Sequence, residues 1–251
     1  MNDPNFKTAP MQDLFIHYLF TSPDSNGILK SFINAVLADS EGPLIQSVTI
    51  ENTFDPQSFS EEKGSINDIQ ATDSEGRVYE IEIQTLNHPS LANRVLYDWS
   101  RKYRGQLKRE EDCRPLNPVI SIVITRFLMF PELDGPHNPF YITCQQDTQY
   151  ILTDDLQIHF IELIPQKLNQ LPQMAPEIQL WLDFLENADK KGEEELSVLR
   201  KKESGIGEAY RKYESFHQSP ELRALAEERW RNELCKRTLL EDACDKGLEK
   251  G

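Results

Sequence analysis

Asp68 and Glu82, fourteen positions apart, are the side chains of this 251-residue sequence best placed to do chemistry together. Around Glu82, Tyr79, Ile81 and Ile83 alternate with Val78, Glu80, Glu82 and Gln84, which is the period of a β-strand. Upstream, Asp73-Ser-Glu-Gly76 is turn material, and Gly76 suits the left-handed position of a three-residue hairpin loop. A loop of Ser74-Glu75-Gly76 sets Asp68 opposite Glu82 and Ile66 opposite Gln84 on one face. Opposed residues of an antiparallel pair have Cβ atoms ~4.5–5.5 Å apart, and like charges that close repel unless a cation lies between them. Mg²⁺, which takes one or two carboxylates together with waters and phosphate oxygens, would resolve the conflict. The plainer reading is a solvated acidic hairpin, and a loop one residue longer or shorter would send Asp68 to the other face. Spacing alone leaves both readings open.

The order of motifs along the chain narrows the choice. Asp68 followed by Glu82-Ile-Gln84, framed by Ile81 and Ile83, resembles the Asp…Glu-x-Lys core of the PD-(D/E)XK nuclease superfamily. It is closer still to the Rpn recombination-promoting nuclease/putative transposase branch, where Gln stands in the Lys place. Asp13–Phe20 and Leu29–Leu37 resemble that branch's first two helices, and Arg94–Ser100 the helix after the Glu-x-Gln strand. Pro118–Ile124 and Ile158–Leu163 resemble its later strands, and Trp181–Leu185 a helix near the end, so the likeness spans roughly residues 8–190.

The resemblance implies a restriction-endonuclease-like α/β fold, a mixed sheet flanked by helices, and Mg²⁺- or Mn²⁺-dependent hydrolysis of DNA phosphodiesters. Asp68 and Glu82 would hold the ion, and Gln84, with an amide where the superfamily has a cation, would orient water or substrate. Asp13 becomes a candidate outer-shell carboxylate if the first helix crosses the sheet as in the superfamily. Lys63, just before the hairpin, is a candidate phosphate contact, although Gly64-Ser65 after it also reads as a simple turn. Arg94, Arg101 and Arg104 are further phosphate candidates. Two other readings stand beside the nuclease: a catalytically weak or inactive nuclease-fold module acting through protein or DNA contacts, and an acidic regulator that avoids DNA.

Charge bears on that choice. The net charge of −15 opposes a nonspecific grip on nucleic acid. Yet residues 94–109 carry Arg94, Arg101, Lys102, Arg104, Lys108 and Arg109 against Asp98 alone. On a helix, Ala92, Leu96, Trp99, Tyr103 and Leu107 form a stripe expected to pack on the sheet. Arg94, Tyr97, Arg101, Arg104 and Lys108 form a second stripe, either a phosphate track or a solvated face.

The elements that must position these groups follow from periodicity and punctuation. Helices are expected at 11–20 and 27–38, with Ser25-Asn26 as a cap, and a first strand at 44–54. Pro89-Ser90 opens a helix reaching Arg109, and the apolar run 119–127 reads as a strand buried on both faces. Residues 131–139 read as a loop, 140–144 and 150–152 as an edge hairpin, 158–163 as a strand and 178–188 as a helix. A boundary falls at residue 188, where dense charge begins. Residues 189–251 read as a charged helical extension, with a helix starting at Ser219-Pro220. Its sparse stripe (Leu222, Leu225, Ala226, Trp230, Leu234, Leu239) suits either packing on the domain or a homo-oligomer contact. No run approaches the ~18 apolar residues of a membrane span, and the first residues lack a signal-peptide pattern. Cys113, Cys144, Cys235 and Cys244 form no C-x-x-C pair and read as reduced thiols in a cytoplasmic protein. The five histidines are scattered, without metal-ligand spacing.

Overall fold

The computed structural model describes residues 7–40, 42–56, 68–107, 115–168, 174–202 and 204–248. In chain order the elements are α1 (Asp13–Thr21), α2 (Asn26–Asp39), β1 (Val48–Ile50), β2 (Ile69–Asp73), β3 (Val78–Gln84) and α3 (Leu91–Gly105). Then come β4 (Val119–Thr125), β5 (His137–Tyr141), β6 (Thr143–Cys144), β7 (Asp147–Ile151) and β8 (Leu156–Glu162). The chain continues through α4 (Pro165–Leu168), α5 (Pro176–Asn187), α6 (Glu193–Arg200), α7 (Gly205–Gln218) and α8 (Pro220–Leu248).

Six strands form one mixed sheet in the order β1-β2-β3-β4-β8-β5. β3, β4 and β8 run parallel at its centre, β1 and β2 pair antiparallel on one side, and β5 pairs antiparallel with β8 on the other. β4 is buried along its whole length, as its run of Val and Ile requires of a central strand. Tyr79, Ile81, Ile120, Ile122, Ile124 and Ile161 point into the larger core, with α1, α2, α5 and α7 over them. The other face is covered more thinly, by Leu91 and Val95 of α3 on Val123, Ile158 and Phe160. This is the restriction-endonuclease-like mixed sheet expected of the sequence.

Departures from expectation have local causes. The first strand is only Val48–Ile50, because Ile45 gives its N–H and C=O to the Asn34 side chain at 2.7 and 3.0 Å instead of to a strand. The edge hairpin is split: β6 and β7 pair with each other, while Phe140 and Tyr141 join β5, where Pro139 is tolerated because the strand lies at an edge. Ser25 makes no capping bond to α2, and its hydroxyl instead accepts from Lys212 of α7 at 2.7 Å.

The core also runs across the boundary placed at residue 188. Ile206, Ala209, Tyr210, Tyr213 and Phe216 of α7 are buried in it. Phe15 of α1 meets Tyr213 and Phe216 edge-on at 5.2 Å, and Phe184 of α5 meets Tyr210 at 4.8 Å. α8 begins at Pro220, where Ser219 Oγ accepts from the Leu222 N–H. Leu222, Leu225 and Ala226 pack on the core, whereas Trp230 and Leu234 are about half exposed.

Candidate metal and phosphate site

The β2–β3 turn determines what faces what. Asp73 accepts the N–H groups of Glu75 and Arg77 at 2.9 and 3.0 Å, and its other oxygen takes Arg77 Nε at 2.6 Å and the Tyr79 hydroxyl at 3.0 Å. Gly76 has φ of 84°, a conformation that side chains disfavour, and an added Cβ would come within 2.7 Å of Asn117 Nδ2. The clamped loop pairs Ile69 with Ile81 and Gln70 with Glu80, the register read from the sequence. Asp68, the residue before β2, therefore comes level with Glu82.

Both glutamates of β3 feel Asp68. Burial pushes the Glu80 carboxyl up to about 7, and a hydrogen bond with Asp68 adds to this while Lys102 pulls the other way. Burial also raises Glu82, followed by the Asp68 charge, with Arg94 opposing both. Three carboxylates thus converge on the face covered by α3. Gln84 lies beside them, its Nε2 2.5 Å from Glu82 Oε1.

α3 supplies the counter-charges. Arg94 Nη2 reaches the same Glu82 Oε1 at 2.5 Å, and Lys102 Nζ lies 2.5 Å from Glu80 Oε1. This corrects the expected helix face. Leu96 and Leu107 are nearly half exposed, and Ala92 is exposed. Trp99 and Tyr103 of the expected stripe do pack inward, joined by Leu91, Val95 and Lys102 in place of the other three. The sheet beneath is apolar on β4 and β8 but acidic on β3, so the helix presents a mixed face to it. Trp99 and Tyr103 stack at 5.0 Å and anchor the helix, the indole N–H to Val119 O and the phenol to Asp155.

The remaining candidates disperse. Arg101 is exposed and 3.4 Å from Asp98, and Arg104 is exposed on the same outer face. Asp13 does not join the acid pair. α1 packs in the core on the opposite side of the sheet, and the Asp13 carboxylate accepts from the Leu14 N–H and pairs with Arg229 of α8 at 2.5 Å. Lys63 lies outside the described residues. Glu80 and Lys102 were not singled out from the sequence. The signal for Glu80 was present in the Glu-x-Glu-x-Gln alternation, whereas Lys102 was hidden in a basic run. Ser121 of β4, level with Glu80 and buried, adds a hydroxyl without a hydrogen-bond partner among the described residues.

Two of the scattered histidines also come together, on the other face. His137 Nδ1 lies 2.6 Å from Asp39 Oδ2, and His137 Nε2 lies 2.9 Å from His159 Nδ1. Burial pushes Asp39 up, but bonds from His137 and the Ala175 N–H outweigh it and hold the carboxyl below its usual range. With Asp39 ionised, each imidazole donates from Nδ1, and the buried His159 Nε2 is left as a bare lone pair. Burial drives His159 down to about 3, the nearby His137 adding to the shift.

Among the described residues no three His, Cys, Asp or Glu side chains are arranged to hold a metal ion. Mg²⁺ does not need three: two carboxylates completed by waters and substrate phosphate are its usual share from a protein. Asp68 and Glu82 offer that share, in a site whose carboxylates outnumber the cations beside them. The donor set fits a hard divalent ion.

A mixed sheet with Asp68 and a Glu-x-Gln strand facing one helix defines a nuclease-like α/β protein. The model of the PD-(D/E)XK nuclease family transposase matches residues 10–243, and the chain belongs to that family. No curated protein and no solved structure matches it. Among the described residues no helix is long and apolar enough to cross a membrane.

Proposed function

We propose that the protein is a Mg²⁺- or Mn²⁺-dependent DNA endonuclease, with Asp68 and Glu82 as its metal ligands. The observation that supports this best is the register of the β2–β3 hairpin, which brings Asp68 level with Glu82, so that its charge adds to burial in raising the Glu82 carboxyl. Arg94 offsets the Glu82 charge alone, and a purely structural hairpin gains nothing from a second carboxylate set beside it.

A bound divalent ion would supply Lewis acidity at the scissile phosphate and a more acidic water. Gln84 has its amide nitrogen on Glu82, which orients the carboxylate, and an amide oxygen can in turn accept from a water. In the metal-free protein Arg94 supplies the counter-charge to Glu82. Lys102 fixes Glu80 and, through it, Asp68. Arg101 and Arg104 on the outer face of α3 are placed to meet flanking phosphates. A role in recombination or mobile-element activity, and a cytoplasmic location, accord with this reading.

Cleavage of plasmid DNA tests it. The purified protein should nick or cut only with Mg²⁺ or Mn²⁺, and Asp68→Ala or Glu82→Ala should abolish the activity while the protein stays folded. Glu82→Ala protein that cuts at the wild-type rate would leave the nuclease-fold binding module as the better reading.

A further inference from the structure

Two cations of α3 face the same acidic patch about two turns apart, and their surroundings differ. Lys102 is 14 % exposed against a Glu80 that is 5 % exposed, so its ammonium has nowhere else to go. Arg94 is 43 % exposed at the rim, and it holds Glu82 by one terminal nitrogen. The Glu82 oxygen it holds, Oε1, already accepts from Gln84 at the same 2.5 Å. Both donors therefore crowd one oxygen of the carboxylate that a divalent ion would need.

We propose that Arg94 is a displaceable counter-ion. In the metal-free protein it neutralises Glu82, and when a divalent cation enters between Asp68 and Glu82 the guanidinium is expelled to the rim and binds a DNA phosphate. The inference rests on the reading of Asp68 and Glu82 as a cation site. A doubly charged ion at Glu82 repels a guanidinium held at that carboxylate, and the repulsion is strong because Glu82 itself is only 14 % exposed. Arg94 has an open path outward, and a planar fork suited to phosphate once released. Lys102 has neither and stays with Glu80. One helix thus carries a fixed charge and a movable one. The movable charge makes DNA contact conditional on metal loading.

The test separates metal binding from catalysis. Mn²⁺ is titrated into the full-length protein without DNA, and free Mn²⁺ is read by electron paramagnetic resonance. Arg94→Met should bind Mn²⁺ roughly three- to fivefold more tightly than wild type, because the competing ion pair is gone, and Arg94→Lys should return most of the way. Glu82→Gln should lose the site. Binding to a short phosphorothioate duplex is then followed across a salt series. Arg94→Met should reduce the slope of log K against log[salt] by about 0.9, one phosphate contact, with Mn²⁺ present and leave it unchanged without metal. If wild type binds Mn²⁺ and Glu82→Gln does not, but Arg94→Met binds no tighter or loses DNA contact equally with and without metal, the counter-ion role is wrong and the metal site stands. If folded wild type binds no Mn²⁺, or Glu82→Gln binds it equally well, the site reading fails and the counter-ion role with it.

Discussion

Replacing Lys102 by Met should cost the protein about 3 kcal/mol, a loss out of proportion to one residue on an otherwise solvent-facing helix. Its ammonium is 2.5 Å from Glu80, and the two side chains are 14 % and 5 % exposed, so the pair is close to the buried limit. Removing one member of a buried pair leaves the other charge uncompensated, typically at ~3–5 kcal/mol. The lower end applies because Glu80, already raised to about 7, can take up a proton and share it with Asp68. For a chain of this size the loss corresponds to a fall in Tm of about 6–12 °C. Glu80→Gln should cost a similar amount, since it strands the ammonium instead. The double variant removes both charges and should recover to within ~1 kcal/mol of wild type, because neutral pairs of similar volume often match buried ion pairs. Urea unfolding at pH 7.5 with EDTA, followed by circular dichroism, would give a coupling energy of about 5 kcal/mol. Single losses that simply add in the double variant, within ~0.5 kcal/mol, would show that Lys102 and Glu80 do not interact and that α3 is held by Trp99 and Tyr103 alone.

Metal-free Asp68→Asn should leave stability unchanged or raise it by up to ~1 kcal/mol, since it relieves a cross-strand repulsion; a clear loss in thermal unfolding would mean that Asp68 is a structural ligand of the hairpin. Acid should destabilise the fold through the histidines. Unfolded His159 takes a proton near 6.5 but the folded residue only near about 3, so stability is full above 6.5 and falls by ~1.4 kcal/mol per pH unit below it. His217, also lowered by burial, adds in the same direction. His159→Gln should flatten the slope measured by urea unfolding between pH 6.5 and 4. Charge reversal of Arg101 and Arg104 should lower the salt slope of DNA binding by at least about 1.8, two phosphate contacts at ~0.9 each; an unchanged slope would assign that face to solvent.

What could be read from residue order depended on the range of the interactions involved. The β2–β3 register was legible because a three-residue loop with Gly at its left-handed position is a local device, and Asp68 opposite Glu82 followed from counting. β4 was legible because a run of Val and Ile admits few places besides the centre of a sheet. The face of α3 was not, because its orientation depends on an acidic strand it meets only after folding: Leu96 and Leu107 have the right spacing for a core stripe and point outward. The Asp39–His137–His159 chain was likewise invisible, since strand pairing between β5 and β8 brings the two imidazoles together. α7 looked detachable because its charged residues are dense, yet the aromatic rings between them are what the core takes up.

That placement of α7 bears on when the molecule can become itself. Thr8 joins His217 and Tyr213 through its backbone N–H and C=O, both at 2.9 Å; the Gln12 amide donates to Ala226 O at 2.7 Å; and Asp13 waits for Arg229. Every one of these contacts spans more than 200 residues. On the ribosome, the hairpin with its carboxylates and the α3 cations emerge long before α7, which covers the helices on the opposite face of their sheet. Phe15 and Tyr18 of α1 must stay exposed until Phe216 arrives to cover them. A chain stopped at residue 188 would leave Phe15 and Phe184 of the helix layer uncovered and prone to aggregate, and the site acquires a rigid support only when synthesis has passed the eighth helix's first turns.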